Sequence, residues 1–65
     1  MNREKQNMRT EQALKEAMVT LLGRMPFEKI TVTALCREAN VSRMGFYRRY
    51  ENLNQLLTEV SRTYV

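Results

Sequence analysis

One stripe of apolar residues limits what this chain can become: Leu14, Ala17, Met18, Leu21, Leu22 and Met25 recur at i, i+3, i+4, i+7, i+8 and i+11. That spacing puts them along one side of an α-helix and does not fit the two-residue alternation of a half-buried strand. Ahead of the stripe, Thr10 is placed to cap the helix start and Glu11 to complement its positive end. Behind it, Gly23 and Pro26 offer a stop, at Leu22 or at Met25. Pro26 bars an uninterrupted helix, so Pro26-Phe27-Glu28-Lys29-Ile30 reads as a loop with Phe27 and Ile30 turned inward.

The remaining sequence repeats the helical pattern three times. Thr31 reads as the cap of a short helix with Val32, Leu35, Cys36 and Ala39 on one face. It ends at Asn40, a residue type that tolerates the left-handed conformation of a tight exit. Three residues, Asn40-Val41-Ser42, lead to the next helix, which Ser42 caps. Placing Phe46 and Tyr50 inward at i, i+4 leaves Met44 and Arg48 on the far face, with Gly45 and Tyr47 on the flanks. A last helix follows Asn52, which with Gln55 resembles a capping box, and carries Leu53, Leu56, Leu57, Val60 and Tyr64 on one stripe. The expected fold is all-α: a three-helix, homeodomain-like helix-turn-helix unit plus the start of a fourth helix. Residues 9–65 read as that domain and residues 1–8 as a flexible basic arm.

A chain of 65 residues is near the lower size limit for a domain without staples. A single cysteine closes no disulfide within the chain, and with no histidine a zinc site would need carboxylates alone. Neither metal nor cofactor is expected, and no catalytic residues. An enzyme reading lacks a histidine, a metal cluster and the length to build a pocket. Cys36 reads as a packing residue between the second and third helices, since no histidine is present to activate it. No segment approaches the roughly 20 apolar residues of a membrane span. An amphipathic membrane binder fails because the first and last stripes are needed to bury each other. The first ten residues, MNREKQNMRT, contain no apolar segment of a signal peptide, so an intracellular protein is expected.

The chain carries eleven Lys and Arg against seven Asp and Glu, a net charge of +4. The excess concentrates in Arg43-Met44-Gly45-Phe46-Tyr47-Arg48-Arg49, directly after the turn. Guanidinium forks match guanine O6 and N7 or phosphate oxygens, and a tyrosine can donate to phosphate and lay its ring on a sugar or thymine methyl. Gly45 is unfavourable in a helix by about 1 kcal/mol against alanine. Its missing side chain is expected to let a groove wall approach. Met44 is expected to face out, toward a base methyl. Arg3, Lys5 and Arg9 form a second basic group able to follow phosphates or enter a minor groove.

Thr31, Val32, Leu35, Ala39, Val41, Ser42, Phe46 and Tyr47, in that order and spacing, resemble the DNA-binding domain of the tetracycline-repressor (TetR) family of bacterial transcription regulators. The first stripe and Leu56-Leu57 fit too, so the resemblance covers residues 8 to 62. It implies a helix lying in the major groove, with Arg43, Met44 and Gly45 on bases, Tyr47 and Arg49 on phosphates, and Arg48 on either. Thr31, Thr33 and Ser42 would meet the backbone or groove edge. The implied partner is double-stranded DNA at an operator half-site, the implied role repression, and the implied location the bacterial cytoplasm, associated with the nucleoid. Asn40 replaces the family's usual turn glycine. Leu53 stands where a lysine commonly opens the fourth helix, with Glu51 adding the wrong sign beside it. The family's effector-binding and dimerising domain is expected to be missing, whether by excision or natural truncation. That domain would take a small-molecule effector and make the full regulator a homodimer, leaving this fragment a monomer. A second reading keeps the fold but binds a protein through Met44, Tyr47 and the arginines.

Overall fold

The computed structural model describes residues 3–64, with side chains described from Arg9 to Thr63. Four α-helices follow one another: α1 (Arg3–Leu22), α2 (Val32–Ala39), α3 (Arg43–Arg49) and α4 (Leu53–Tyr64). There is no strand among the described residues.

The first helix begins at Arg3 rather than after Thr10. Arg, Glu, Lys, Gln and Met are straight-chain residues that lose little rotamer freedom in a helix. Residues 3–8, expected as an arm, therefore continue α1 in the backbone, and Thr10 lies inside the helix instead of capping it. The side chains of Arg3 and Lys5 lie outside the described residues; Arg9 is exposed. At the other end α1 stops at Leu22 and tightens. The Gly23 N–H is shared between the Val19 and Thr20 carbonyls at 3.2 Å each, and Arg24 and Met25 both donate to Leu21 at 2.9 Å. No glycine has a positive φ. The stop therefore comes from Pro26, which has no N–H to continue the ladder, and not from a left-handed Gly23. The expected loop is instead a single 3₁₀ turn, Phe27–Lys29, that delivers Ile30 into the core.

The core is Leu14, Ala17, Met18 and Leu21 from α1, Ile30, Leu35 and Cys36 from α2 and its approach, Phe46 and Tyr50 from α3 and its exit, and Leu56 and Val60 from α4. Leu22, Met25, Phe27, Val32, Ala39, Val41 and Leu53 pack against it half-buried. Leu57, placed on the α4 stripe by its spacing, is only half-buried. Helix α1 is the common partner, packing on α2, α3 and α4. Burial raises the pKa of the Tyr50 hydroxyl; Glu11 of α1 and Glu59 of α4 push it further up and Arg49 pulls it down. Tyr50 thus sits where α1, α3 and α4 converge.

The connection from α2 to α3 is fixed by backbone chemistry. Asn40 adopts φ 59°, ψ 45°, the left-handed conformation. Its N–H donates to the Arg37 carbonyl at 3.3 Å, and the Val41 N–H donates to Cys36 at 2.9 Å. Those two bonds are the paired 5→2 and 6→1 bonds of a Schellman exit. Thr31 Oγ1 accepts from the Ala34 N–H and Ser42 Oγ from the Gly45 N–H, both at 3.0 Å. Asn52 Oδ1 accepts from the Gln55 N–H at 2.9 Å, while Gln55 Oε1 reaches past the cap to the Glu51 N–H at 2.6 Å. Ser42→Ala is expected to lower stability by about 1 kcal/mol, the usual cost of a lost N-cap. Asn40→Gly is expected to raise it by somewhat less, about 0.5 kcal/mol, by removing the Cβ from a left-handed residue. Urea melts of the two variants against the parent check both signs.

Candidate nucleic-acid interface

Phe46 is wholly buried and Tyr50 nearly so, which turns the opposite side of α3 outward. There Met44 is 67% and Tyr47 55% exposed, large values for residues of their size. Arg48 is exposed beside them, its Nη2 lying 3.8 Å from Met44 Sδ one turn back. Tyr47 is held from beneath, edge-on to the Phe46 ring at a centroid separation of 5.0 Å and 83°. An aromatic pair of this geometry restrains the exposed ring while leaving its hydroxyl free to meet a ligand. Arg43 is exposed at the start of the helix.

Gly45 and Arg49, both expected at the site, have different surroundings. A Cβ built on Gly45 would meet Val41 Cγ1 at 3.0 Å and Ser42 Oγ at 3.4 Å. Its missing side chain therefore leaves room for the turn behind it, not for an approaching groove wall. Arg49 is half-buried, and its Nη1 donates to the Gly45 carbonyl at 3.2 Å. Half-buried and bonded back to the Gly45 carbonyl, it differs from the exposed Met44 and Arg48.

Thr31, Thr33 and Ser42 are all exposed. Thr31 and Ser42 each use an oxygen lone pair as a cap, which leaves the hydroxyl hydrogen available as a donor. The fold brings Thr33 and Arg43 to one cleft of about 420 Å³, whose other walls are Cys36, Arg37, Asn40, Val41 and Ser42. Arg37 was not among the residues expected at the site. Its signal in the sequence is the four-residue step from Thr33, which sets both on the same side of α2. Cys36 forms part of the same cleft. Its thiol lies 3.8 Å from the Ser42 carbonyl, and burial raises its pKa although Arg43 works the other way. It stays a neutral thiol near pH 7, consistent with a packing role.

A second cleft of about 370 Å³ opens on the other flank, between the 3₁₀ turn and the α3–α4 junction. Phe27, Ile30, Val32, Tyr47 and Leu53 give it apolar walls, and Glu28 and Glu51 give it negative charge. Arg24 pairs with Glu38 at 3.3 Å and Arg62 with Glu59 at 3.8 Å. Among the described residues Arg37, Arg43 and Arg48 enter no such ion pair. The charges of Arg37, Arg43 and Arg48 are therefore uncompensated by ion pairs among the described residues, while those of Arg24 and Arg62 are not.

Among the described residues no cluster of His, Cys, Asp and Glu could hold a metal ion. No helix among them is long and apolar enough to cross a membrane. Comparison with family models, curated proteins and solved structures finds no match to this chain.

Proposed function

We propose that this chain binds double-stranded DNA through a helix-turn-helix, with α3 in the major groove, as the DNA-binding domain of a transcriptional repressor. The observation that carries the reading is the outer side of α3: Arg43, Met44, Tyr47 and Arg48 exposed together on a helix whose inner side is locked by Phe46. A major groove admits one α-helix, and arginines there can pair bidentately with guanine. Arg43 and Met44 are the base-reading residues, Arg48 reads a base or holds a phosphate, and Tyr47 holds the backbone. Arg49 would release its bond to Gly45 to reach a phosphate. Gly45 contributes through its backbone and by letting the turn close. Thr31, Thr33 and Ser42 donate hydroxyl hydrogens to the backbone at the groove edge.

As the domain of a TetR-like regulator, it would meet one half-site as a monomer, with dimerisation and effector binding lying in a further domain. Its place would be the bacterial cytoplasm, on the nucleoid. The exposed Met44 and Tyr47 favour one rival, a protein-binding face on the same helix.

Titration of isotope-labelled protein with a mixed-sequence duplex at low salt separates the two. Amide shifts at Thr31 to Thr33 and Ser42 to Arg49 that fade as salt rises are expected. A spectrum unchanged by duplex would remove the DNA reading and leave the protein-binding one.

A further inference from the structure

Resting on that DNA-binding reading, we propose that the cleft between α2 and the start of α3 is a phosphate-binding site, with Arg37 its principal anchor. Thr33 and Arg37 stand one helical turn apart on α2, and Arg43 joins them from α3 across the turn. The cleft is lined by two guanidinium groups, two hydroxyls and the Asn40 amide, and no carboxylate lines it. Neither arginine is in an ion pair among the described residues. Two unpaired like charges in one concavity raise the local positive potential and favour an anionic occupant.

The contrast with the other cleft gives the occupant its place on the molecule. Glu28 and Glu51 line that second concavity with no cation, so beyond Tyr47 a polyanion meets like charge, whereas on the other flank it meets Arg37. A phosphate oxyanion fits the cationic side in a further respect. The two non-bridging oxygens of a DNA phosphodiester can accept from a guanidinium fork and from the Thr33 hydroxyl at once. Arg43 lines the cleft while lying at the start of the base-reading face, so its charge favours an anion beside Arg37 while its guanidinium fork stays on a base edge. Arg37 thereby adds a charged contact to the hydroxyl one that α2 makes through Thr33.

The test is the salt dependence of duplex binding by the whole chain, followed by fluorescence anisotropy, for the parent and for Arg37→Gln, Arg37→Lys and Arg62→Gln. The last removes the same unit of charge from α4, outside the cleft. Arg37→Gln is expected to bind about fivefold more weakly at low salt, with the log–log slope shallower by about 0.9, the loss of one phosphate contact. Arg37→Lys should keep the slope, and Arg62→Gln should match the parent. Circular dichroism of each variant records that the helices persist, as expected for exposed positions. If the parent binds DNA but Arg37→Gln and Arg62→Gln behave alike, the phosphate site is overturned and the function stands. A parent that shows no salt-dependent binding overturns both.

Discussion

Phe46→Ala is expected to leave this domain largely unfolded at 25 °C. Phe46 is 0% exposed and lies against Tyr47 and Tyr50, at centroid separations of 5.0 and 5.8 Å. Truncating a buried phenylalanine costs about 3–5 kcal/mol, partly in lost transfer energy and partly in the cavity left behind. A chain of 65 residues has roughly 3–10 kcal/mol in total at the usual stability per residue, with no disulfide in reserve. The loss is thus comparable with the whole. Phe46→Leu, which keeps most of the volume, should cost about 1–2 kcal/mol and leave a measurable urea transition. Met44→Ala, on the exposed side of the same helix, should fall within about 0.5 kcal/mol of the parent. Far-ultraviolet circular dichroism of the three variants during urea and thermal melts checks that order. An intact cooperative transition in Phe46→Ala would mean that α3 is not anchored by this ring.

The inner and outer sides of α3 were legible because they follow from spacing alone. Phe46 and Tyr50 four apart, with polar residues between, admit one orientation against a core. The caps at Thr31, Ser42 and Asn52 and the left-handed Asn40 were legible for a similar reason, since each is a local preference of one residue type. Other features depend on neighbours that spacing does not supply. The role of Gly45 turns on Val41 and Ser42 behind it, and a glycine in sequence does not say which side needs the room. The resemblance puts Arg49 on a phosphate, but a helix rotates 100° per residue, which carries it past Arg48 to a half-buried position and onto the Gly45 carbonyl. Arg37 gains its place only from the turn, which folds Arg43 against the same cleft. The start of α1 was misplaced because Thr10 offered a plausible cap, while helix formers upstream offered a continuous run. Competing local signals of that kind are settled by the sum of propensities over the segment, not by the best single residue.

Raising salt from 50 to 200 mM is expected to weaken duplex binding about 40-fold. With Arg48 on a phosphate, Arg37, Arg48 and Arg49 each neutralise one phosphate, which gives a log–log slope of about −2.7 for B-DNA. Arg43, assigned to a base edge, contributes discrimination instead. Arg43→Ala should therefore leave the slope nearly unchanged while lowering affinity for the preferred sequence by about tenfold and bringing it toward that for random duplex. The two effects are separable in one experiment: anisotropy titrations of parent and variant on a selected and a scrambled duplex at several salt concentrations. A slope near zero for the parent would contradict phosphate binding at α2 and α3 alike. A parent slope near the expected value, together with equal loss on both duplexes in Arg43→Ala, would move Arg43 from the bases to the backbone and leave Met44 and Arg48 as the readers. The physical basis for that distinction is counterion release, because a guanidinium on a phosphate displaces condensed cations and one on a base edge does not.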